Sequence, residues 1–207
     1  MVEYNKIMKD RVIMKNNFFA LIFRMKYIHR WVLMRSNYNE TLSTHSMETA
    51  VIAHALATIG NNCYGKKYDC NLIGMKALYH DAPEILTGDL PTPVKYHSEE
   101  MKNSYKRVEN AAVEKLFSML PPELFSDYTS LFELSEEERR LIKSADKLCA
   151  YIKCIEEKQS SNREFDVAYD TIKKSVESMC DSVEELKYFC DNFLEGFCMP
   201  LDTIGEN

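Results

Sequence analysis

Apolar residues recur at helical spacing along most of the chain, separated by short polar segments. Residues 1–15 are mostly polar and charged, whereas Phe18 to Ile28 is strongly apolar and predicts a helix. A second helical pattern covers His45 to about Ile59, with Ser43 as the expected N-cap and Gly60-Asn61-Asn62 as the expected end. We therefore predict a flexible extension over residues 1–15, followed by helices.

The middle of the chain predicts a helix, a sharp turn and a loop. The helix begins at Asp69 or Asn71 and delivers the pair His80-Asp81 at its C-terminal end. Pro83 suits the first turn of a short helix, because its missing N–H would have no partner there. The run Gly88 to Pro93 is rich in proline and is expected to be a rigid loop.

Longer helices are predicted in the second half of the chain. Ser98 to about Leu120 forms one pattern, which Pro121-Pro122 closes. Ser135 to about Lys158 forms another, and it starts with a serine followed by three glutamates, a typical helix N-terminus. Two further amphipathic helices are expected at about 164–179 and 181–195.

Composition agrees with this helical pattern. No strand-like alternation of any length appears, and six glycines and six prolines are few, so we predict an all-α fold. The 207 residues fit one domain, a helical bundle over residues 16–200 with a C-terminal tail at 201–207. A net charge of −6 without a long basic block argues against nucleic acid as a partner.

The cysteines and the apolar segments bear on location. Seven scattered cysteines form no C-x-x-C pair, which favours free thiols in a reducing cytoplasm over a zinc ribbon or a thioredoxin motif. Residues 1–17 lack the apolar core of a signal peptide, and no stretch approaches the roughly 20 apolar residues of a membrane helix. We therefore expect a cytoplasmic protein without a membrane partner.

Candidate chemistry centres on the pair His80-Asp81, on His45 upstream and on Asp146 downstream. Two imidazoles and two carboxylates suit a borderline divalent ion such as Mn²⁺, Co²⁺, Fe²⁺ or Zn²⁺. Taken alone, His45 could be a capping residue, and Asp146 could form a salt bridge with Lys143 or Lys147. Asp146 borders an apolar face, however, where a carboxylate is costly unless it is paired or bound to a metal.

Three other histidines are weaker candidates. His54 lies nine residues after His45 on the same helix, so it points away from His45 at 100° per residue. His29 and His97 have no evident carboxylate companion, and we interpret both as structural.

Four sequence motifs resemble the bacterial 5′-deoxynucleotidases of the HD-domain phosphohydrolase superfamily. The ligand candidates match the H…HD…D signature of the superfamily, and the similarity spans about residues 16–200 in order. The long loop with the sequence GDLPTPVK is more specific than the scattered ligands. The motifs are Ile28 to Trp31, His80 to Glu84, Leu86 to Lys95 and Ala145 to Cys154.

The resemblance implies an all-helical, generally dimeric phosphomonoesterase that uses a divalent metal ion, such as Co²⁺ or Mn²⁺, and a metal-activated water. It would remove the 5′-phosphate from deoxyribonucleoside monophosphates. His45, His80, Asp81 and Asp146 match the metal ligands of the family, Glu84 and Asp89 match its catalytic carboxylates, and Arg30 and Trp31 match the pair that contacts phosphate and sugar.

The chain departs from the family pattern at two positions near these residues. Thr44 precedes the first histidine where an acid is common, and Pro83 replaces a small polar residue. Neither change removes a ligand, but Thr44 could alter the local charge and the metal preference.

The individual roles allow alternatives. Lys95 could add positive charge near the phosphate or be a solvated surface lysine. Glu84 and Asp89 would divide two tasks, activation of the water and protonation of the leaving oxygen. We expect Glu84 on the water side and Asp89 on the leaving-group side. Taken without the resemblance, Glu84 could instead be an acid at the start of a helix, and Asp89 could be a turn residue. Trp31, the only tryptophan, is either a core residue or a wall against the 2′-hydroxyl of ribonucleotides.

Two other functions are compatible with part of this pattern. A phosphohydrolase of the same superfamily that acts on a pyrophosphate-linked or cyclic nucleotide is one, but Ile85 follows Glu84 where the guanosine tetraphosphate hydrolases typically have an aspartate. A non-catalytic helical binding module is the other, and it would be expected to lack part of the ligand or carboxylate set.

Overall fold

The structure, a computed structural model, describes residues 16–95 and 97–205, and the extension predicted at residues 1–15 lies outside this range. Every regular element assigned in the described residues is a helix. The one extended pairing there is an isolated antiparallel bridge between His29 and Thr41. The all-α prediction is confirmed. The α-helices are α1 (Phe18–Ile22), α2 (Leu42–Tyr64), α3 (Cys70–Leu78), α4 (Glu84–Thr87), α5 (Thr92–Lys95), α6 (Glu99–Phe117), α7 (Phe125–Thr129), α8 (Glu136–Gln159), α9 (Asp166–Cys180) and α10 (Glu184–Phe193).

Helix α2 differs from its prediction at both ends. It begins earlier, because Thr41 rather than Ser43 is the N-cap and its side chain accepts a hydrogen bond from the Thr44 N–H. It also continues through Gly60 and ends at Gly65, which has a φ of +65°. Gly60 serves packing instead: a Cβ there would lie 2.6 Å from the ring of Tyr68.

Three other expectations need correction. The predicted helix Phe18 to Ile28 is divided into α1 and a 3₁₀ turn at Phe23–Tyr27. The expected loop at Gly88 to Pro93 turns into α5, because a proline in the first helical turn loses no hydrogen bond. Short helical turns between Pro122 and Phe132 were not predicted.

Helix α8 confirms the N-terminal signature at Ser135. The Ser135 side chain accepts from the Glu138 N–H, and the Glu138 carboxylate accepts from the Ser135 N–H, which is a capping box. The cap fixes where this 24-residue helix begins, and the spacing of its apolar residues sets which face is buried. The apolar face packs with α2, α3, α9 and α10 in the main core, which includes Ile52, Leu56, Ile73, Ala77, Leu141, Leu148, Ile152, Val176 and Leu186.

A smaller apolar cluster supports the turn after α3. Phe18 of α1, Leu116 of α6 and Leu120 pack with Ala82, which is fully buried. Ala82 directly follows the pair His80-Asp81, so this cluster anchors the turn that carries both side chains.

All seven cysteines lie in the described part of the chain and are free thiols, as the sequence predicts. Within residues 16–95 and 97–205, no helix combines the length and the apolar character needed to cross a membrane.

Candidate metal and phosphate site

His45 lies in the first turns of α2 with its imidazole fully buried. Its Nε2 is 2.9 Å from Asp146 Oδ1 and 3.7 Å from Asp81 Oδ2, so it faces the other ligand candidates. Its Nδ1 is 3.0 Å from Glu40 Oε1 on the opposite side of the ring. Burial alone would lower the pKa of His45, but the carboxylates of Asp146 and Glu40 raise it to about 9.

His80 and Asp81 lie in the turn that follows α3. The His80 Nδ1 is 2.7 Å from the Ala77 carbonyl oxygen, which can only accept, so Nδ1 carries a proton and Nε2 is the nitrogen available to bind an ion. That Nε2 is buried and has no hydrogen-bond partner among the described residues, although Asp81 Oδ2 lies 3.2 Å away. A buried imidazole nitrogen without a hydrogen-bond partner fits the role of a metal ligand.

The four predicted ligands converge, three of them most closely. One donor atom from each of His45, His80 and Asp81 lies within 4.8 Å of the others, a spacing that can hold a metal ion. Asp146 on α8 lies outside this trio but contacts His45, and within the described chain its ion pair is with His45 and not with Lys143 or Lys147. Although burial opposes it, His80 lowers the pKa of the Asp81 carboxyl, which therefore stays ionised.

These residues fit a divalent ion. The donor set is two imidazole nitrogens with carboxylate oxygens, which is the set that borderline transition metals prefer. The other nitrogen of each imidazole faces an acceptor, Glu40 for His45 and the Ala77 carbonyl for His80. Metal-binding histidines are typically oriented in this way by an acceptor at their second nitrogen.

Arg30 lies at the edge of this cluster with most of its side chain buried. Its Nη1 donates to Asp81 Oδ2 at 3.3 Å, and its Nε is 3.1 Å from Glu40 Oε1. The guanidinium is therefore fixed beside the candidate ligands. Its remaining N–H groups could donate hydrogen bonds to a phosphate oxygen.

Trp31 follows Arg30 and is partly exposed, so it is not a core residue. Its φ of +58° is unusual for a bulky residue. The indole Nε1 donates to Glu40 Oε2 at 2.6 Å, and the ring centroid lies 5.3 Å from that of Phe165. The side chain is thus held at the rim of the site.

The two candidate catalytic carboxyls lie on α4 and in the loop after it. Glu84 is 6% exposed, and its Oε1 accepts from Lys95 Nζ at 3.4 Å. Lys95 lies closer to Glu109, at 3.0 Å, so it neutralises Glu84 only in part. Burial, assisted by Asp81 and Asp89, raises the pKa of Glu84 to about 8. Burial also raises the pKa of Asp89.

Glu40 is the residue that the sequence analysis missed. It is 7% exposed and contacts His45, Arg30 and Trp31. No motif marks it, because a glutamate in the polar run before a helix is ordinarily a solvated loop residue. Its position between Trp31 and His45 in the chain was the one available signal.

The other histidines do not join the cluster within the described residues. His54 is exposed and packs beside Gly74, on a different side of α2 from His45. His29 pairs through its backbone with Thr41.

Residues 17–197 match the family described as 5′-deoxynucleotidase YfbR-like. A 5′-deoxynucleotidase of Enterobacter sp. (strain 638) is 43% identical over 196 residues, which cover 93% of this chain and 98% of that protein. A 5′-deoxynucleotidase of Pectobacterium atrosepticum is 42% identical over 196 residues, with the same coverage.

Solved structures share the fold at lower identity. An HD-domain phosphohydrolase from Listeria innocua has a TM-score of 0.76 at 22% identity, covering 87% of this chain and 88% of its own. A cyanophage S-2L HD phosphohydrolase, solved with dA and one catalytic Zn²⁺ ion, has a TM-score of 0.60 at 19% identity, covering 86% of this chain and 96% of its own. The chain therefore belongs to the YfbR-like 5′-deoxynucleotidase family and is an enzyme of the HD-domain phosphohydrolase fold.

Proposed function

We propose that this enzyme hydrolyses deoxyribonucleoside 5′-monophosphates to deoxyribonucleosides and phosphate, with one divalent metal ion held by His45, His80, Asp81 and Asp146. The observation that carries the proposal is the convergence of the His45, His80 and Asp81 donor atoms within 4.8 Å, with Arg30 at hydrogen-bond distance from Asp81. Co²⁺, Mn²⁺ or another transition metal fits these ligands.

The substrate phosphate requires positive charge in a protein whose net charge is −6. A phosphate monoester carries a charge of about −1.5 to −2 at neutral pH. Arg30 would bind two of its oxygens with a planar fork, and Lys95 would add a second positive charge from the side of Glu84. Both side chains are largely buried, so their attraction for the phosphate is weakly screened.

When bound, a divalent ion would supply Lewis acidity and lower the pKa of a water toward about 7. The chain itself supplies the proton transfers. Glu84, with a pKa of about 8, can hold or release a proton near neutral pH, which suits general acid–base work. We assign Glu84 to the attacking water and Asp89 to the leaving 5′-oxygen. Each water molecule consumed then gives one phosphate and one deoxyribonucleoside.

Selection of deoxyribose is assigned to Trp31. Its indole would lie against C2′ of the sugar, where a 2′-hydroxyl would clash. An apolar wall by itself discriminates an added hydroxyl by only about 10²-fold, so tight placement of the ring is required. The short hydrogen bond to Glu40 and the neighbouring Phe165 ring provide such placement.

Relatives support this substrate class, because the proteins about 42–43% identical to this chain are named 5′-deoxynucleotidases. The cyanophage neighbour was solved with dA and one catalytic Zn²⁺ ion, which supports the proposal that this fold can bind a deoxynucleoside together with a metal ion. By the same resemblance we propose that the enzyme is a cytoplasmic homodimer.

The test is release of inorganic phosphate from dAMP and AMP by chelator-treated protein, with Co²⁺, Mn²⁺, Mg²⁺ or no ion added. We expect ion-dependent release from dAMP and much less from AMP, and loss of release in Glu84→Gln, which still binds nucleotide. Equal release from both nucleotides would contradict the sugar selection. No release with any ion would contradict the proposed function.

A further inference from the structure

Glu40 contacts one residue from each of the three proposed sets: a metal ligand, a phosphate-binding residue and a sugar-binding residue. The inference drawn from these contacts rests on the proposed function. One carboxylate oxygen, Oε1, lies 3.0 Å from His45 Nδ1 and 3.1 Å from Arg30 Nε. The other oxygen, Oε2, accepts the indole N–H of Trp31 at 2.6 Å. A metal ligand, the phosphate fork and the sugar wall therefore share one buried carboxylate.

The backbone around Glu40 is fixed as well. The Glu40 carbonyl accepts from the Arg30 N–H at 3.0 Å, and the Leu42 N–H donates to the Ile28 carbonyl at 2.8 Å. These bonds tie the segment that carries Arg30 and Trp31 to the start of α2. The backbone here is therefore not free to shift when the Glu40 side chain changes. The side chains that contact the Glu40 carboxylate would move instead.

Trp31 needs such support, because a bulky residue at a φ of +58° is strained. Such conformations persist only where neighbouring contacts hold them. For the Trp31 side chain those contacts are the Glu40 hydrogen bond and the ring of Phe165. Without the hydrogen bond, the indole loses its one polar anchor among the described residues.

His45 needs the same carboxylate for a different reason. Glu40 Oε1 beside Nδ1 favours a proton on that nitrogen, so Nε2, which faces Asp81 and Asp146, is the nitrogen that would be left to bind an ion. The negative charge of the same oxygen also attracts the Arg30 guanidinium, whose Nε lies 3.1 Å away.

We propose that Glu40 is a positioning residue that couples metal affinity to deoxyribose selection, because the same carboxylate orients His45 for the ion, Arg30 for the phosphate and Trp31 for the sugar. It touches neither substrate nor ion in this role. One substitution at Glu40 should therefore impair two properties that substitutions of His45 or Trp31 would impair separately.

The experiment compares wild type with Glu40→Gln, an isosteric change that removes the charge and replaces one acceptor oxygen with an NH2 group. That NH2 group must then face either the Trp31 N–H or the nitrogens of His45 and Arg30, all of which are donors. Glu185→Gln is the matched control, because Glu185 is also a buried glutamate and accepts a hydrogen bond from the Tyr68 hydroxyl, away from the residues that Glu40 contacts. Zn²⁺ affinity is measured by competition with a chromophoric chelator. The environment of Trp31 is followed by its fluorescence, which is unambiguous because the chain has one tryptophan.

We expect Glu40→Gln to bind Zn²⁺ about 10- to 100-fold more weakly than wild type. The emission maximum of Trp31 should move, and the dAMP to AMP ratio of kcat/KM should fall at least severalfold. Glu185→Gln should match wild type in all three. In wild type, saturating Zn²⁺ should itself change the Trp31 emission, and this arm holds even if Glu40→Gln fails to fold.

The inference is overturned if Glu40→Gln keeps wild-type Zn²⁺ affinity and nucleotide preference, or if Zn²⁺ leaves the wild-type emission unchanged. Equal losses in Glu185→Gln would also overturn it, since any buried carboxylate would then serve. A wild-type protein that binds Zn²⁺ but releases no phosphate from dAMP would instead contradict the proposed function, which separates the two failures.

Discussion

Glu84 couples the stability of the metal-free protein to pH. It is almost completely buried, and its Oε2 has no hydrogen-bond partner within the part of the chain that the structure describes. Burial and the neighbouring Asp81 and Asp89 raise its pKa from 4.5 to about 8. Between these two values the folded protein holds a proton at Glu84 that the unfolded chain has released.

Because the folded state binds the extra proton, this group favours folding below about pH 4.5 and loses that contribution as the pH rises through about 8. The loss is at most roughly 1.4 kcal/mol per pH unit. Glu84→Gln cannot ionise, so we expect its stability relative to wild type to increase between pH 5 and pH 9. Urea unfolding of chelator-treated protein at several pH values measures this difference.

The control for this prediction is Glu123→Gln, which removes an exposed glutamate. Its stability relative to wild type should not change across the same pH range. A Glu84→Gln difference that is equally independent of pH would show that the carboxyl is ionised in the folded protein throughout.

At the level of elements, local sequence signals predicted helix starts better than helix ends. The cap at Ser135 depends on residues within one turn, so the sequence alone was sufficient. Gly60 has the same local signature as a C-terminal glycine, but it is required by the ring of Tyr68, which arrives from outside the helix. The true end at Gly65 could not be distinguished without that tertiary contact.

The same distinction, between local sequence signals and tertiary contacts, applies to the residues of the candidate site. His45, His80, Asp81 and Asp146 belong to recognisable motifs, and the structure brings the first three together, with Asp146 in contact. Glu40 has no motif, since its importance comes only from the side chains that surround it in space. The lysine-bound carboxylate that fixes the same loop, Glu157, was missed for the same reason.

Glu157 of α8 joins that helix to the loop that carries Glu40. It is fully buried and accepts from Lys153 Nζ at 2.6 Å and from the backbone N–H groups of Asn37 and Tyr38. Glu157→Gln would leave the Lys153 charge buried without its partner. We expect a loss of about 3 kcal/mol in the free energy of unfolding, since removing one member of a buried pair is strongly destabilising. Urea denaturation at neutral pH measures it.

A surface pair between nearby segments provides the control. Arg35 and Glu164 also connect this loop to the region after α8, but the arginine is 93% exposed. Glu164→Gln should cost less than about 1 kcal/mol. Similar losses in Glu157→Gln and Glu164→Gln would mean that burial of the first pair contributes nothing.

At the scale of the whole molecule, the proposed ion would cross-link distant parts of the chain. His45 lies on α2, His80 and Asp81 in the turn after α3, and Asp146 on α8. These elements also build the main apolar core. An ion bound by all of them stabilises only the folded state, because the unfolded chain does not hold the ligands together.

Removal of metal should therefore lower the temperature of unfolding. At an ion concentration of 100 times Kd the stabilisation is about 2.7 kcal/mol. For a chain of this size that corresponds to roughly 5 to 10 °C. We expect Co²⁺ or Mn²⁺ to raise the melting temperature of chelator-treated wild type by this amount, as measured by circular dichroism, and His45→Gln to show no increase.

His54→Gln is the matched control, because His54 lies on the same helix as His45 but is exposed and outside the cluster of described ligands. It should keep the full increase, which separates binding at the site from general binding of ions to surface histidines. An equal increase in His45→Gln would place the stabilising ion elsewhere. The proposed ion would then no longer account for the buried His80 Nε2, which has no hydrogen-bond partner among the described residues.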